Sequence, residues 1–106
     1  MAKQLLTFNF EYKADNPKGL PVGQSHYGVV GSGDMEVLIE KKDQGGKATF
    51  TVVTPVSGFE EVWKRVLERF VMDTQIGDVH FEINDNNATP VVVSMRMRQA
   101  LAEISG

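Results

Sequence analysis

Apolar residues change period partway along this chain, and the change dictates a layered fold. Phe59, Val62, Trp63, Val66, Leu67 and Phe70 recur every three or four positions, while Glu60, Glu61, Lys64, Arg65, Glu68 and Arg69 fill the opposite side. That pattern is an amphipathic helix whose apolar stripe has to be laid on another element. Glu60 to Lys64 and Glu61 to Arg65 have the favoured acid-before-base order, each pair contributing about 0.3 kcal/mol, so the charged side reads as a solvated face. Ser57-Gly58-Phe59-Glu60 has the spacing of a capping box and predicts the helix start. The receiving surface comes from stretches with period two. Leu6, Phe8, Phe10 and Tyr12, then Met35, Val37 and Ile39, then Val79, Phe81 and Ile83 alternate with other residues, and Thr49 to Thr54 is a β-branched run of the same kind.

The connections follow from turn chemistry. Lys13 to Gln24, with Asp15-Asn16-Pro17-Lys18-Gly19, Pro21 and Gly23, lacks an apolar rhythm and reads as a loop. Lys41 to Gly46 reads as a polar hairpin, which makes the strands on either side of it antiparallel neighbours. Thr89-Pro90 opens a last helix, a cap residue followed by the imino acid suited to the first helical position. Val93, Met97, Ala100, Leu101 and Ile104 carry its spacing. Val93 to Arg98 also alternates as a strand would, and Val91-Val92-Val93 is β-branched, but the start signal and the continuation to Ile104 favour helix. The order strand, strand, strand, helix, strand, helix predicts an α+β fold. It is expected to be a single two-layer domain over residues 1–106, a mainly antiparallel sheet with both helices packed on one face.

Composition removes several classes of function. At 106 residues the chain has room for one respectable core. A formal charge of −3 argues against a nucleic-acid partner, which needs clustered Lys and Arg. With no cysteine there is neither a disulfide framework nor a thiolate nucleophile or zinc ligand. No apolar run approaches the roughly 18 residues of a membrane span. Met1-Ala2-Lys3-Gln4 leads straight into alternating sequence, so a cytoplasmic protein with no membrane partner is expected.

One segment is left for chemistry. Gly31-Ser32-Gly33-Asp34 places a single hydroxyl between two residues without side chains, and a turn there would present it at the lip of a strand. The local alternative is a hairpin turn whose serine bonds its own backbone. No visible machinery uses the serine. Gly31-Ser32-Gly33 is not a nucleophile elbow, and a strand follows where that motif needs a helix. His26 is near enough in sequence to approach Ser32, yet no carboxylate motif gives it a triad role, and His80 occupies the outward phase of its strand. Asp34, Glu36 and Glu40 match no calcium loop, and the spacing of Gly28, Gly31 and Gly33 is wrong for a dinucleotide fingerprint. No catalytic residue and no metal ligand is expected. A domain so equipped can still act by carrying a group that another protein attaches.

Two segments support that role. Val29-Val30-Gly31-Ser32-Gly33-Asp34-Met35-Glu36-Val37-Leu38 resembles the attachment segment of the acyl carrier, or delta, subunits of malonate decarboxylase. Asp85, Ala88-Thr89-Pro90 and Arg96, with Gln99 beyond, are similar to the same family's C-terminal segment. The chain departs from the family pattern at Asn87, Val91, Ser94 and Arg98. The resemblance implies that Ser32 bears phosphoribosyl dephospho-coenzyme A through a phosphodiester, with Gly31, Gly33 and Asp34 forming the attachment turn. The arm's thiol would carry acetyl and malonyl, supplying the reactive sulfur that this cysteine-free chain lacks. It further implies a non-catalytic subunit whose partners are the other decarboxylase subunits, the prosthetic-group transferase and a malonyl/acetyl loading enzyme. A citrate lyase-type carrier subunit and a cofactor-free interaction module are the alternatives.

Overall fold

Alternation along four strands sends every second side chain to one face of a sheet, and that face forms the core. The computed structural model describes residues 4–20, 26–32 and 34–105, with 26–32 and 104–105 described by backbone alone. The elements in chain order are β1 (Leu6–Lys13), β2 (His26–Ser32), β3 (Met35–Lys41), β4 (Lys47–Thr54), α1 (Glu60–Thr74), β5 (Val79–Asp85) and α2 (Pro90–Ser105). The strands form one five-stranded sheet in the order β1-β4-β5-β3-β2. Only β4 and β5 are parallel; the β1–β4, β5–β3 and β3–β2 pairs are antiparallel. The expected α+β class and mainly antiparallel sheet are therefore present, and α1 and α2 cover the same face.

Met35, Val37 and Ile39 of β3, Ala48, Phe50 and Val52 of β4, and Val79, Phe81 and Ile83 of β5 are all buried. From the helices, Trp63, Leu67, Phe70 and Val71 of α1 and Val93, Met97, Ala100 and Leu101 of α2 join the same cluster. Phe81 stacks on Phe50 at 4.8 Å and meets Phe70 edge-on at 5.5 Å, so sheet and helix share one aromatic knot. At the β1 edge, the Tyr12 hydroxyl donates to the Lys64 carbonyl at 2.8 Å and ties α1 to the sheet. Burial, helped by the Glu68 charge, pushes the Tyr12 pKa up to about 12, which keeps that donor protonated.

Three local expectations are corrected. The Lys41–Gly46 connection does not join neighbouring strands, because β5 is inserted between β3 and β4. A parallel crossover through α1 is what brings β5 into that slot. The connection instead wraps the start of β5, where the Asp78 carboxylate accepts from the backbone N–H of Gln44 at 2.9 Å and of Gly46 at 2.8 Å. The capping box at Ser57 does not form either: Gly58 takes a left-handed φ of 88°, the helix is capped at Phe59 without a side-chain bond, and it begins at Glu60. Phe59 and Val62 consequently stay exposed. Finally, a strand, β2, covers His26–Ser32, which the sequence reading did not count as an element; its pairing with β3 shifts register between Tyr27 and Val29. The C-terminal helix starts as expected, with Thr89 Oγ1 accepting from Val92 N–H at 3.3 Å. The predicted loop runs without a named element through residues 14–20, and its Pro21 and Gly23 lie outside the described residues.

The two backbone donors, Gln44 first, hold the Asp78 carboxyl below the ordinary carboxylate range. A depressed carboxyl adds stability above its unfolded pKa, and that contribution is lost as pH falls through the folded pKa. Asp78→Asn should therefore lower the denaturant midpoint at neutral pH while flattening its fall below about pH 4. Urea melts of both proteins across that range check it.

Candidate functional site

Chain connectivity brings the two segments that carry the resemblance to one end of the sheet. β2 ends at Ser32, which is paired with Met35, the first residue of β3. Met35 in turn pairs with Asp85, the last residue of β5. The connection from β5 to α2 then passes beside the β2–β3 turn, where Asn86 N–H donates to the Asp34 carbonyl at 2.8 Å. Segments separated by about fifty positions thus meet through backbone pairing. β4 runs parallel to β5, so α1 also begins at this end. The end of the fold carrying Ser32 therefore collects the carboxyl ends of two parallel strands and the first turns of both helices. That is where α/β layers commonly offer ligand space and where unpaired helix N–H groups favour negative charge.

Ser32 is the final residue of an edge strand rather than the middle of a turn, and Gly31 lies inside the strand with it. Among the described residues the turn is marked at Asp34. Gly33 falls outside the described residues; Asp34 is exposed and its backbone is anchored to Asn86. The same geometry keeps His26 away from Ser32. His26 begins β2 and Ser32 ends it, a separation of about 20 Å in an extended strand. His80 pairs with Glu40 and Thr49 at the far end of the sheet, as its outward phase predicted. Its Nδ1 lies 2.7 Å from Thr49 Oγ1, and burial, followed by the Lys42 charge, lowers its pKa, so it is a neutral structural group. Among the described residues no group of acidic or histidine side chains is arranged to hold a metal ion.

One pair near the site escaped the sequence reading. Thr54, fully buried, donates from Oγ1 to Asp85 Oδ2 at 2.7 Å and accepts from Val56 N–H at 3.1 Å. Asp85 is 6 % exposed, and among the described residues no donor reaches its Oδ1. The legible signal was a threonine at a core-phase position of β4, following Ala48, Phe50 and Val52. This pair fixes the strand ends beneath the Ser32–Met35 hairpin. Thr54→Val keeps the volume but strands Asp85 Oδ2 and Val56 N–H, and should cost about 1–3 kcal/mol. Thr7→Val on the exposed face should stay within about 0.5 kcal/mol. Paired urea melts compare them.

Comparison with known proteins places this geometry. The family model described as malonate decarboxylase delta subunit (MdcD) matches residues 22–104. A malonate decarboxylase acyl carrier protein from Malonomonas rubra is 50 % identical over 103 residues, covering 97 % of this chain and 92 % of the relative. Another from Xanthomonas campestris pv. campestris (strain B100) is 41 % identical over 97 residues, covering 90 % and 92 %. Among solved structures, a chain of a Pseudomonas malonate decarboxylase hetero-tetramer in complex with malonate superposes with a TM-score of 0.68 at 38 % identity. That match covers 93 % of this chain and 98 % of the other.

Proposed function

The chain belongs to the family of malonate decarboxylase delta subunits, the acyl carrier proteins of that enzyme, and we propose on that premise that Ser32 is its attachment residue. The observation that supports this reading is the meeting of the Ser32–Asp34 turn with the Asp85–Pro90 connection at one end of the sheet. Among the described residues no further strand lies beside β2, the edge strand that Ser32 closes, so its backbone edge is available to another protein. The attached group is phosphoribosyl dephospho-coenzyme A, joined through a phosphodiester to Ser32 Oγ.

The residues present fit such a group. A phosphodiester at this end lies near the first turn of α2, which contains no acidic residue and carries a partial positive charge. Gly31 and Gly33 keep the approach to Ser32 narrow in side-chain bulk, and Asp34 marks the turn for the transferase. When bound, the group supplies a thiol for acetyl and malonyl, which this cysteine-free chain cannot. The chain itself positions the arm and presents it, while exchange and decarboxylation belong to partner subunits. Its place is the cytoplasm, and no described helix is long and apolar enough to cross a membrane.

Intact-mass spectrometry tests this directly. Chain produced together with the family's prosthetic-group transferase should gain the mass of one arm, and the Ser32→Ala chain should gain none. An increment that survives the substitution would move attachment to another residue. An unmodified wild-type chain would favour an interaction module without a cofactor.

A further inference from the structure

α1 and α2 run side by side in the same direction. Arg98 of α2 reaches Asp73 near the end of α1 at 3.1 Å, and its guanidinium lies over the Phe70 ring at 5.7 Å. An open groove of about 310 Å³ follows their seam. Arg65, Val66 and Arg69 form its α1 wall, and Val91, Ser94, Met95 and Arg98 its α2 wall. Val91 and Met95 are 56 % and 62 % exposed, although Val93 and Met97 on the same helix are fully buried. The groove is therefore apolar surface left open on a helix that has already satisfied its core face.

Its charge is the reverse of the chain's. The protein carries a formal −3, yet three guanidiniums line this seam, with the carboxylates of Glu68 and Asp73 on the adjoining side of α1. Asp73 is shared by Arg69 at 3.2 Å and Arg98 at 3.1 Å. Against the upward pull of desolvation, the hydrogen bonds and charges of those arginines hold the Asp73 carboxyl below its ordinary range. It stays ionised and orients both arginines, but one carboxylate leaves most of their five donors each unused. Arg65 has no ion pair among the described residues. The expected Glu61 to Arg65 pair is not what the helix forms; its ion pair is Arg69 with Asp73.

The groove also lies within reach of the attachment turn. Val91 is in the first turn of α2, a few residues after the Asn86 contact with Asp34. From Val91 to Arg98 the seam descends about 10 Å along the helix. We infer that this groove binds a nucleotide, with its base against Val66, Val91 and Met95 and its phosphates at Arg65, Arg69 and Arg98. The inference rests on the Ser32 reading for its occupant, the nucleotide end of the arm carried by the same chain. Tethering raises the effective concentration to the millimolar range, so a weak groove suffices to park the arm and still release it. An acidic segment of a partner protein would match the charge, but it would bring neither a flat ring to the apolar strip nor a tether at its mouth.

Two measurements separate this inference from the reading it rests on. In the first, dephospho-coenzyme A is titrated into isotopically labelled Ser32→Ala chain, which needs no attachment. The Val66, Val91 and Met95 methyl resonances should shift at millimolar ligand, and Arg65→Glu should weaken binding roughly tenfold, the effect of one charge-assisted contact. In the second, unmodified and modified wild-type chains, distinguished by mass, are compared. The same methyl resonances should shift upon modification and return when salt screens the arginines. Titration without shifts at these methyls overturns the nucleotide groove, as does a mass-verified modified chain whose groove resonances are unmoved; the latter leaves Ser32 attachment intact. Shifts with an acidic peptide but none with dephospho-coenzyme A would make the groove a protein-binding surface instead.

Discussion

Replacing Ser32 by Ala should reduce malonate decarboxylation by the assembled complex to background while leaving the chain's own stability unchanged within about 0.5 kcal/mol. The two halves of this expectation come from different links of the argument. Ser32 closes β2 at the sheet edge, and its backbone pairing with Met35 persists in the Ala variant. The functional loss is all-or-none because the chain has no cysteine and therefore no thiol of its own on which an acyl group can travel. Activity measured with purified partner subunits, beside urea melts of the isolated chain, checks both halves. Turnover that persists in the Ala variant would remove Ser32 from the carrier role.

The largest stability effect is expected at Phe81. Its ring is fully buried, stacked on Phe50 and edge-on to Phe70, so it joins β5, β4 and α1. Phe81→Ala deletes a ring from a close-packed interior and should cost about 3–5 kcal/mol. Aromatic pairing adds about 0.5–1.5 kcal/mol per pair to the area effect, which favours the upper part of that range. Domains of this size are stable by only about 5–15 kcal/mol, so the variant should lose roughly 15 °C or more in melting temperature. Phe81→Leu, which keeps most of the volume, should be markedly milder. A Phe81→Ala loss below about 1 kcal/mol would mean that this knot does not organise the core.

Local periodicity was enough to find most elements. Trp63, Leu67 and Phe70 announce α1 because a helix places them on one stripe, and Met35, Val37 and Ile39 announce β3 because a strand alternates. β2 was hidden because its glycines carry no side-chain rhythm and its register slips between Tyr27 and Val29. The insertion of β5 between β3 and β4 was hidden for a different reason. A short polar loop such as Lys42-Asp43-Gln44-Gly45-Gly46 has the composition of a hairpin whether or not another strand later enters the gap. The pairing that decides the matter involves residues forty positions away.

The site was legible in its parts and not in its assembly. Ser32 and Asp85 belong to segments that family resemblance singles out, but nothing in their spacing places Asn86 against Asp34. That contact depends on β3 and β5 being neighbours, which is the feature local reading missed. Thr54 was overlooked because a threonine is ordinary in a strand; only its core phase marks it as a buried donor. The groove arginines looked like a solvated helix face, as such runs usually are, until α2 was packed beside them.

The central claim is that one serine at the end of β2 carries the group on which the enzyme's acyl chemistry travels. The most direct measurement isolates the chain from an active complex with its partner subunits and fragments the peptide spanning residues 31–34 in a mass spectrometer. The account predicts one phosphoribosyl dephospho-coenzyme A group on the Ser32 hydroxyl. An active complex in which Ser32 is unmodified would contradict it.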